Sequence, residues 1–207
     1  MKEYPSIQKE VNKDLSFYVF DKLDGSNIRA TWSRKNGFYK YGSRHVLLDP
    51  NDKQNKLSIA PQLILDTYQE DATKILRDLR VDSATLFFEF LGPQSFAGNH
   101  VEGDNFSVTL FDADLYKQGI MMPDTFLKSF GNLKIPKLLH HGKVNQELVN
   151  AVKASLLDEM TFEGVVCKAR NPKKTLQPVM FKIKSQAWLT KLKNFCGEDA
   201  DLFRRLE

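Results

Sequence analysis

The order of apolar and polar residues along the chain predicts a fold with many β-strands. Residues 17–20 form an aromatic and apolar run, and residues 84–91 are almost continuously apolar before a Gly-Pro pair ends the run. An Asn-Gly dipeptide, typical of tight hairpins, separates two more candidate strands, at residues 27–33 and 38–41. By alternation or apolar content, further strands are predicted at residues 106–112, 161–168 and 179–184.

Apolar residues at helical spacing predict helices between these strands. The clearest helix spans residues 61–79, with a proline in its first turn, where proline is tolerated. Shorter helices are predicted at 123–130 and at 145–157, the second with an asparagine cap. A last helix is predicted to begin after Ser185 and to turn four side chains inward, namely Trp188, Leu189, Leu192 and Phe195. This order of elements predicts an α+β fold in which helices flank antiparallel sheets.

Length and composition favour one soluble domain. A chain of 207 residues can bury one sizeable core, so residues 1–207 are expected to form a single domain. The sequence has no apolar run long enough to cross a membrane and no secretory leader, which predicts a cytoplasmic protein. Cys167 and Cys196 lie in dissimilar contexts without metal-ligand spacing, so both are expected to be reduced and structural.

Basic residues are concentrated late in the chain, although the formal net charge is only +4. This concentration favours a ligand that carries phosphate, and a solvated basic face is the open alternative. The residues concerned are Lys168, Arg170, Lys173, Lys174, Lys182, Lys184, Lys191 and Lys193.

Two charged side chains stand out against their apolar surroundings. Lys22 follows an aromatic strand and precedes Asp24-Gly25, a turn in which the glycine lets a ligand approach the main chain. This placement suits a nucleophile, and a surface lysine in a hairpin turn is the alternative. Glu89 is the only charge in the run 84–91. It must therefore face the open side of the sheet or be paired, because an unpaired buried charge is very unfavourable.

Six groups follow one another in an order that is more specific than any one of them. They are Lys22-x-Asp-Gly, Arg44, Glu89 after aromatic residues, Phe111, Glu163-Gly-Val-Val and Lys182-x-Lys184. In this order they resemble motifs I, Ia, III, IIIa, IV and V of the covalent nucleotidyltransferase superfamily, which includes polynucleotide ligases and mRNA capping enzymes. Across residues 17–185 the chain looks most like the ATP-dependent RNA ligases of the phage nick-sealing type, the RNA ligase 2 branch. The resemblance implies an ATP-grasp-like nucleotidyltransferase fold, the ligase adenylation domain.

The resemblance also implies roles at the phosphates of ATP. Lys22 would attack the α-phosphate as a neutral amine, which neighbouring cations and a divalent metal ion favour by depressing its pKa. Lys182 and Lys184, two residues apart and so on one face of a strand, would contact the α-phosphate. Glu163 would bind Mg²⁺ or Mn²⁺, directly or through water.

The remaining groups would bind the nucleoside and the nucleic acid. In the family pattern, Glu89 would accept hydrogen bonds from the ribose hydroxyls, and Phe111 would stack on the base. Asp21 would lie near the adenine amine, with Leu23 also at the nucleotide. Arg44 would engage a phosphate or the 3′-OH strand.

The implied activity is ATP-dependent joining of RNA ends that carry a 5′-phosphate and a 3′-OH, with DNA ends as another possible substrate. A minimal DNA ligase and a non-catalytic relative that binds nucleotide or nucleic acid are the alternatives. The short segment after Lys184 leaves no room for an OB-fold domain, which disfavours capping and leaves nucleic-acid binding open to a partner protein. The phage-type resemblance allows a phage-encoded enzyme that acts in the host cytoplasm.

Overall fold

The computed structural model describes residues 1–5, 7, 14–93, 103–172 and 177–207. Lys173 and Lys174 of the basic segment lie outside these residues. The strands, in chain order, are β1 (Ser16–Asp21), β2 (Ser26–Ser33), β3 (Gly37–Gly42), β4 (Ser83–Leu91), β5 (Ser107–Leu115), β6 (Gly119–Ile120), β7 (Leu138–Lys143), β8 (Gly164–Ala169) and β9 (Val179–Lys184). The helices are α1 (Ala60–Asp78), α2 (Pro123–Phe130), α3 (Gln146–Lys153), α4 (Gln186–Cys196) and α5 (Ala200–Leu206), with a 3-10 turn (Lys56–Ile59) before α1.

The strands form two antiparallel sheets, which confirms the predicted α+β class. The larger sheet has the order β3-β2-β4-β5-β6, and the smaller has the order β7-β1-β8-β9. Neighbouring strands in both sheets pair antiparallel. Because β1 belongs to the smaller sheet and β2 to the larger, the turn that follows Lys22 carries the chain from one sheet to the other.

Helix α1 packs on the larger sheet and fills its core. The predicted helix at 61–79 is confirmed within a residue at each end. A hydrogen bond also fixes the helix, since Trp32 Nε1 on β2 donates to Thr73 Oγ1 at 3.0 Å. The buried side chains of α1 recur at helical spacing and include Ile64, Tyr68, Ala72 and Leu76.

The smaller sheet contains a strand that sequence patterns do not reveal. Strand β7 pairs with β1 at the edge of the sheet, and its sequence Leu-Leu-His-His-Gly-Lys is half-exposed. An edge strand of this kind buries few side chains, so it leaves little hydrophobic signal. Helix α3 packs Val149 and Val152 into the core of this sheet beside Phe17. Asn145 caps α3 as predicted, accepting a hydrogen bond from the main-chain N–H of Leu148 at 2.8 Å.

Some predicted boundaries are wrong. The helix predicted at 145–157 ends at Lys153, because Ser155 has a left-handed main chain with φ of 57° that a helix cannot continue through. The strand predicted at 106–112 extends to Leu115, where β6 pairs with its end. The strand predicted from residue 161 begins at Gly164, and the residues before it form a turn that carries Glu163.

The chain after β9 forms two helices instead of the one predicted. Ser185 caps α4 as predicted, accepting a hydrogen bond from the main-chain N–H of Trp188 at 3.1 Å. The prediction that Phe195 faces inward is wrong, because this side chain is 61% exposed. The buried stripe of α4 instead follows Trp188, Leu192 and Cys196 at four-residue intervals, and α5 packs against it.

Two smaller expectations concern the cysteines and membranes. Cys167 and Cys196 are both buried free thiols, as expected for structural cysteines. Within the residues that the structure describes, no helix combines the length and the apolar character needed to cross a membrane.

Candidate active site

A cavity of about 1030 Å³ is lined by both sheets and by α4 and α5. Strands β1, β8 and β9 contribute from the smaller sheet, and β2, β4 and β5 contribute from the larger. Every residue that the sequence analysis assigned to a site lines this one cavity: Asp21, Lys22, Leu23, Arg44, Glu89, Phe111, Glu163, Lys182 and Lys184.

At one side of the cavity, a single buried carboxylate binds two lysine amines. Lys22 follows β1 directly, and its main-chain N–H donates to the carbonyl oxygen of Gly164 at 2.9 Å, which places it beside Glu163. The Nζ of Lys22 lies 2.7 Å from Glu163 Oε2. Lys184 pairs with Gly164 across β8 and β9, and its Nζ lies 2.9 Å from Glu163 Oε1. Sheet pairing therefore assembles this cluster from three distant parts of the sequence.

Gly164 permits the close approach on which the cluster depends. Its φ of 133° lies in a region that residues with a side chain rarely adopt. A Cβ at this position would collide with the main-chain oxygen of Ile183 on β9. The Glu-Gly pair in the sequence is thus explained, because the glycine lets β8 meet β9 while Glu163 turns into the cavity.

Burial and neighbouring charges shift the pKa values of both lysines. Burial lowers the pKa of Lys184 to about 8, and the charges of Lys22 and Lys182 add to this effect against the opposing effect of Glu163. Burial also lowers the pKa of Lys22, but the charges of Glu163 and Glu89 outweigh it and raise this pKa above its ordinary value. The sequence analysis expected neighbouring cations and a divalent metal ion to depress the pKa of Lys22. The protein groups by themselves raise it instead, because the carboxylates around the amine dominate.

Lys182 lines the same cavity but makes a different contact from Lys184. Its Nζ donates to the main-chain oxygen of Glu207, at the end of α5, at 2.5 Å. The prediction that Lys182 and Lys184 lie on the same face of their strand is confirmed, since both line the cavity. The amine of Lys182, however, lies against the end of α5, while that of Lys184 lies against Glu163.

Glu89, the charged residue in an apolar strand, faces the cavity and is hydrogen-bonded. Its side chain points into the cavity, where Oε1 accepts a hydrogen bond from the main-chain N–H of Gly25 at 2.9 Å. Glycine is required at this turn because a Cβ would collide with the main-chain oxygen of Phe90. Burial raises the pKa of Glu89 to about 7, with the nearby charge of Lys22 opposing the shift.

Another part of the cavity is lined by Tyr4, Phe111 and Lys168, and Lys168 forms a buried ion pair with Asp112. Phe111 is half-buried, and its ring meets that of Tyr4 edge-on, with 5.0 Å between centroids. Lys168 Nζ donates to the main-chain oxygen of Phe111 at 2.9 Å and to Asp112 Oδ2 at 2.8 Å. The hydroxyl of Tyr4 donates to the same oxygen of Asp112 at 2.8 Å.

The sequence analysis did not connect these three polar side chains, since it named only Lys168, as one residue of the basic segment. Of the three, Tyr4 and Lys168 line the cavity. A signal existed for two of them, since Asp112 and Lys168 each end a predicted strand that is otherwise mostly apolar. No such pattern marked Tyr4, whose position depends on how the first residues of the chain cross the larger sheet. Arg29 belongs to the same N-terminal contacts, because its guanidinium donates to the main-chain oxygen of Lys2 at 3.2 Å.

Two further predicted residues that line the cavity are Asp21 and Arg44. Asp21 is buried, and its Oδ1 accepts hydrogen bonds from the main-chain N–H and the hydroxyl of Thr161 at 2.9 and 3.0 Å. Burial raises the pKa of Asp21, against the hydrogen bonds from Thr161. Arg44 is exposed in the loop after β3, and Arg29 Nε holds this loop by donating to the main-chain oxygen of Ser43 at 2.7 Å.

The few side chains that could bind a metal ion here suit an ion whose other ligands are phosphate and water. In the described part of the chain, no set of three or more His, Cys, Asp or Glu side chains is placed to hold a metal ion. Mg²⁺ commonly binds through one or two carboxylates together with substrate phosphates and water. Glu163 suits that role by position, although both of its oxygens already accept contacts from Lys22 and Lys184.

The two antiparallel sheets and the lysine–glutamate–lysine cluster are consistent with the nucleotidyltransferase fold. Residues 15–184, which are most of the chain, match the sequence pattern of the family described as RNA ligase. The chain therefore belongs to the RNA ligase family. Among curated proteins, none gives a significant sequence match.

Solved structures of the RNA ligase of Naegleria gruberi share this fold. The enzyme with pyrophosphate aligns with a TM-score of 0.61 and 21% identity, over 93% of this chain and 60% of that chain. A mutant with ATP and manganese aligns with a TM-score of 0.60 and 22% identity, over 93% and 60% of the two chains. Another mutant with ATP and manganese gives 0.58 and 21%, over 87% and 52%. The chain thus spans between about half and 60% of the length of these relatives.

Proposed function

We propose that the protein is an ATP-dependent RNA ligase that joins a 5′-phosphate to a 3′-OH through a lysyl-AMP and an adenylylated 5′ end. The observation that carries the proposal is the buried Glu163 carboxylate between Lys22, at 2.7 Å, and Lys184, at 2.9 Å. Membership of the RNA ligase family supports the same activity. The Naegleria relatives were solved with ATP, AMP or pyrophosphate, which are the substrate, transferred group and leaving group of such a first step.

In the first step, Lys22 Nζ attacks the α-phosphorus of ATP. A nitrogen–phosphorus bond forms, the bond to the bridging oxygen breaks, and pyrophosphate leaves. The raised pKa keeps Lys22 protonated in the ion pair, so the amine must lose a proton before it attacks. Glu163 Oε2, at 2.7 Å, is the nearby base that can accept this proton. Lys182 and Lys184 place positive charge beside the phosphate as negative charge develops there.

The cofactors in this proposal are ATP and a divalent cation, Mg²⁺ or Mn²⁺. The cation, bound with the triphosphate, would supply positive charge beside Glu163 and so favour the neutral amine of Lys22. Among the protein groups, Glu163 is the proposed metal contact, directly or through water.

Four residues are proposed to orient the nucleoside. Glu89 accepts hydrogen bonds from the ribose hydroxyls, and the half-buried ring of Phe111 stacks on the base. Asp21 uses the oxygen that Thr161 does not occupy to accept a hydrogen bond from the adenine amine, and Leu23 packs beside the nucleotide. These contacts hold the α-phosphate in reach of Lys22, which is how binding contributes to the rate.

The later steps use the same phosphate site. AMP passes from Lys22 to the 5′-phosphate of the RNA, and the 3′-OH then displaces AMP and seals the strand. Each step moves negative charge onto a phosphate beside Lys182 and Lys184, so one set of cations serves all three. Arg44 is proposed to contact a phosphate of the nucleic acid, because it is exposed at the cavity on a loop that Arg29 holds in place.

The proposal extends to the organisation of the chain and its place of action. Residues 1–207 would act as one adenylation domain, a view supported by the cavity that both sheets and the last two helices line together. A cytoplasmic location is proposed because the reaction consumes ATP and both cysteines are free thiols.

The test is the mass of the intact protein after incubation with ATP and Mg²⁺, beside a parallel sample with GTP. Protein shown to carry no AMP at the start should gain one AMP with ATP. The Lys22→Ala variant should gain none, while Lys128→Ala, which removes an exposed lysine of α2 outside the cavity, should behave like the parent. No adduct on folded parent protein would overturn the proposal and favour a relative that only binds nucleotide or nucleic acid.

The choice between RNA and DNA requires a second assay. Nicked duplexes and single strands with a 5′-phosphate are compared as RNA and as DNA, with the rate of sealing as readout. Sealing of RNA ends at the higher rate supports the proposal. Faster sealing of DNA ends would assign a minimal ATP-dependent DNA ligase instead.

A further inference from the structure

We propose that α4 and α5 form a binding surface for single-stranded RNA at the edge of the cavity, made by Phe195, Arg204 and Arg205. This inference deepens the proposed function, since the bound strand would be the one that carries a reacting end. The three residues line the same cavity as Lys22 and the predicted phosphate contact Arg44. A strand held there would therefore pass beside the phosphate site.

The buried contact between the two helices is made by other side chains. Trp188, Leu192 and Cys196 form the buried face of α4, and Leu202 and Phe203 of α5 pack against that face. The buried contacts of both helices are thus made by other residues.

The three proposed residues lie outside this packed face. Phe195 is 61% exposed, and the side chain of Arg204 is 73% exposed. Arg205, its neighbour on α5, is exposed as well. One wall of the cavity thus carries an exposed aromatic ring on α4 and two exposed arginines on α5, and we infer a ligand that has both flat apolar parts and negative charge.

Single-stranded RNA suits both chemistries. Each base has a flat face that can stack on an exposed aromatic ring, and each phosphate can accept a bidentate contact from arginine. Lys191 lies one helical turn before Phe195 on α4, which extends the basic character of this face. Arg204 is paired with Asp201 at 3.2 Å, but both side chains are mostly exposed, so a phosphate can displace the carboxylate.

The surface also fits RNA better than it fits the triphosphate of ATP. Lys22, Lys182 and Lys184 already provide cations on the strands of the cavity wall. A triphosphate has no flat apolar part that could stack on Phe195, whereas an RNA base has one. The hydrogen bond from Lys182 to the main chain of Glu207 keeps the end of α5 at the cavity, and a strand on this surface would lie close to the phosphate site.

The experiment measures binding of a 5′-phosphorylated single-stranded RNA oligonucleotide by fluorescence anisotropy, without ATP, at several salt concentrations. The double variant R204A/R205A should bind about tenfold more weakly. The slope of log affinity against log salt should be shallower by about 1.4, because each phosphate contact to a single strand contributes about 0.7. F195A should bind at least about fivefold more weakly with the slope unchanged, because it loses stacking and no charge.

Matched variants separate this role from a structural one. R77A and Y39A remove an exposed arginine and an exposed tyrosine outside the cavity, and both should bind RNA like the parent. D201N breaks the pair with Arg204 but keeps the arginine, so RNA binding should stay the same or become tighter. R204K/R205K keeps both charges and should recover most of the salt dependence.

The outcomes also distinguish this inference from the proposed function. RNA affinities of R204A/R205A and F195A that match those of R77A and Y39A would overturn the inference. Unchanged RNA binding together with lost lysyl-AMP formation in R204A/R205A would assign the arginines to the triphosphate and overturn it as well. If the parent protein binds RNA through these residues but never forms lysyl-AMP, the RNA surface stands and the ligase proposal fails.

Discussion

Lys22 and Glu163 form an ion pair, with 2.7 Å between Lys22 Nζ and Glu163 Oε2. The pair holds the proposed nucleophile in its protonated, unreactive form, next to the group that can accept its proton. The same carboxylate binds Lys184 through its other oxygen at 2.9 Å. Glu163 therefore influences the charge of both lysines, and changing it should alter the rate of lysyl-AMP formation and the dependence of that rate on pH.

Replacing Glu163 with glutamine should slow lysyl-AMP formation by about 100-fold or more, because the proton acceptor is lost. The pKa values of Lys22 and Lys184 should both fall, because the carboxylate raises both. Single-turnover adenylylation measured across a range of pH checks both effects. E159Q is the control, because Glu159 pairs with Lys137 at 2.7 Å on the exposed surface. A rate for E163Q within about tenfold of the parent would contradict the role of Glu163 as acceptor.

Lys184 predicts a fall in activity at alkaline pH. Its pKa of about 8, lowered chiefly by burial, means that the amine is charged below this pH and loses its charge as the pH rises through it. If that charge stabilises the α-phosphate, the single-turnover rate with saturating ATP should decline above about pH 8. Arginine stays charged throughout this range, so K184R should keep its rate to higher pH, even if the rate is lower overall. An identical alkaline decline in K184R would assign it to another group.

The sequence predicts the position of a site residue where that position is set by the local strand or turn. Lys22, Glu89, Phe111 and Lys184 each sit on a strand or at its end, so a strand pattern together with motif order was enough to expect them at one site. The exposure of Phe195 was not predictable, because helical spacing alone places it on the same face as Trp188. Which of Phe195 and Cys196 turns inward depends on how α5 packs.

The contacts that sequence could not predict are tertiary. The raised pKa of Lys22 results chiefly from Glu163 in the turn before β8 and Glu89 on β4, and Asp24 adds to the shift. Lys182 binds the main chain at the end of α5, and Tyr4 reaches Asp112 across the larger sheet. Each of these contacts depends on how separate helices and strands pack together, and the pattern of apolar and polar residues along the chain does not determine that packing.

Glu89 predicts a dependence of stability on pH. Burial raises its pKa from 4.5 to about 7 in the folded protein. Between these values the folded state holds a proton that the unfolded state has lost, so this group makes the free energy of unfolding decrease as the pH rises from 4.5 to 7. Denaturant unfolding at pH 4.5 and at pH 7 measures this decrease in the free energy of unfolding. The decrease should be smaller in E89Q than in the parent. It should be unchanged in the control E70Q, which alters an exposed glutamate of α1. The same pH dependence in E89Q and the parent would contradict the shifted pKa.

The ion pair between Lys168 and Asp112 predicts a large loss of stability when one partner is removed. Their side chains are 6% and 1% exposed, with 2.8 Å between Lys168 Nζ and Asp112 Oδ2. K168M leaves the buried carboxylate with the hydroxyl of Tyr4 but no cation, so the free energy of unfolding should fall by about 3 to 5 kcal/mol. The double variant K168M/D112N removes the unpaired charge and should recover part of the loss.

The pair between Lys137 and Glu159 is the matched comparison for this prediction. Its length is 2.7 Å, but its side chains are 60% and 59% exposed, so water screens the two charges. Denaturant unfolding of E159Q should therefore differ little from that of the parent. A loss in K168M no larger than that in E159Q, or no recovery in K168M/D112N, would mean that the charge of Asp112 is not paired with Lys168 in the folded protein. Because Lys168 also binds the main-chain oxygen of Phe111, a confirmed loss would tie the stability of this core to the position of the ring proposed to hold the base.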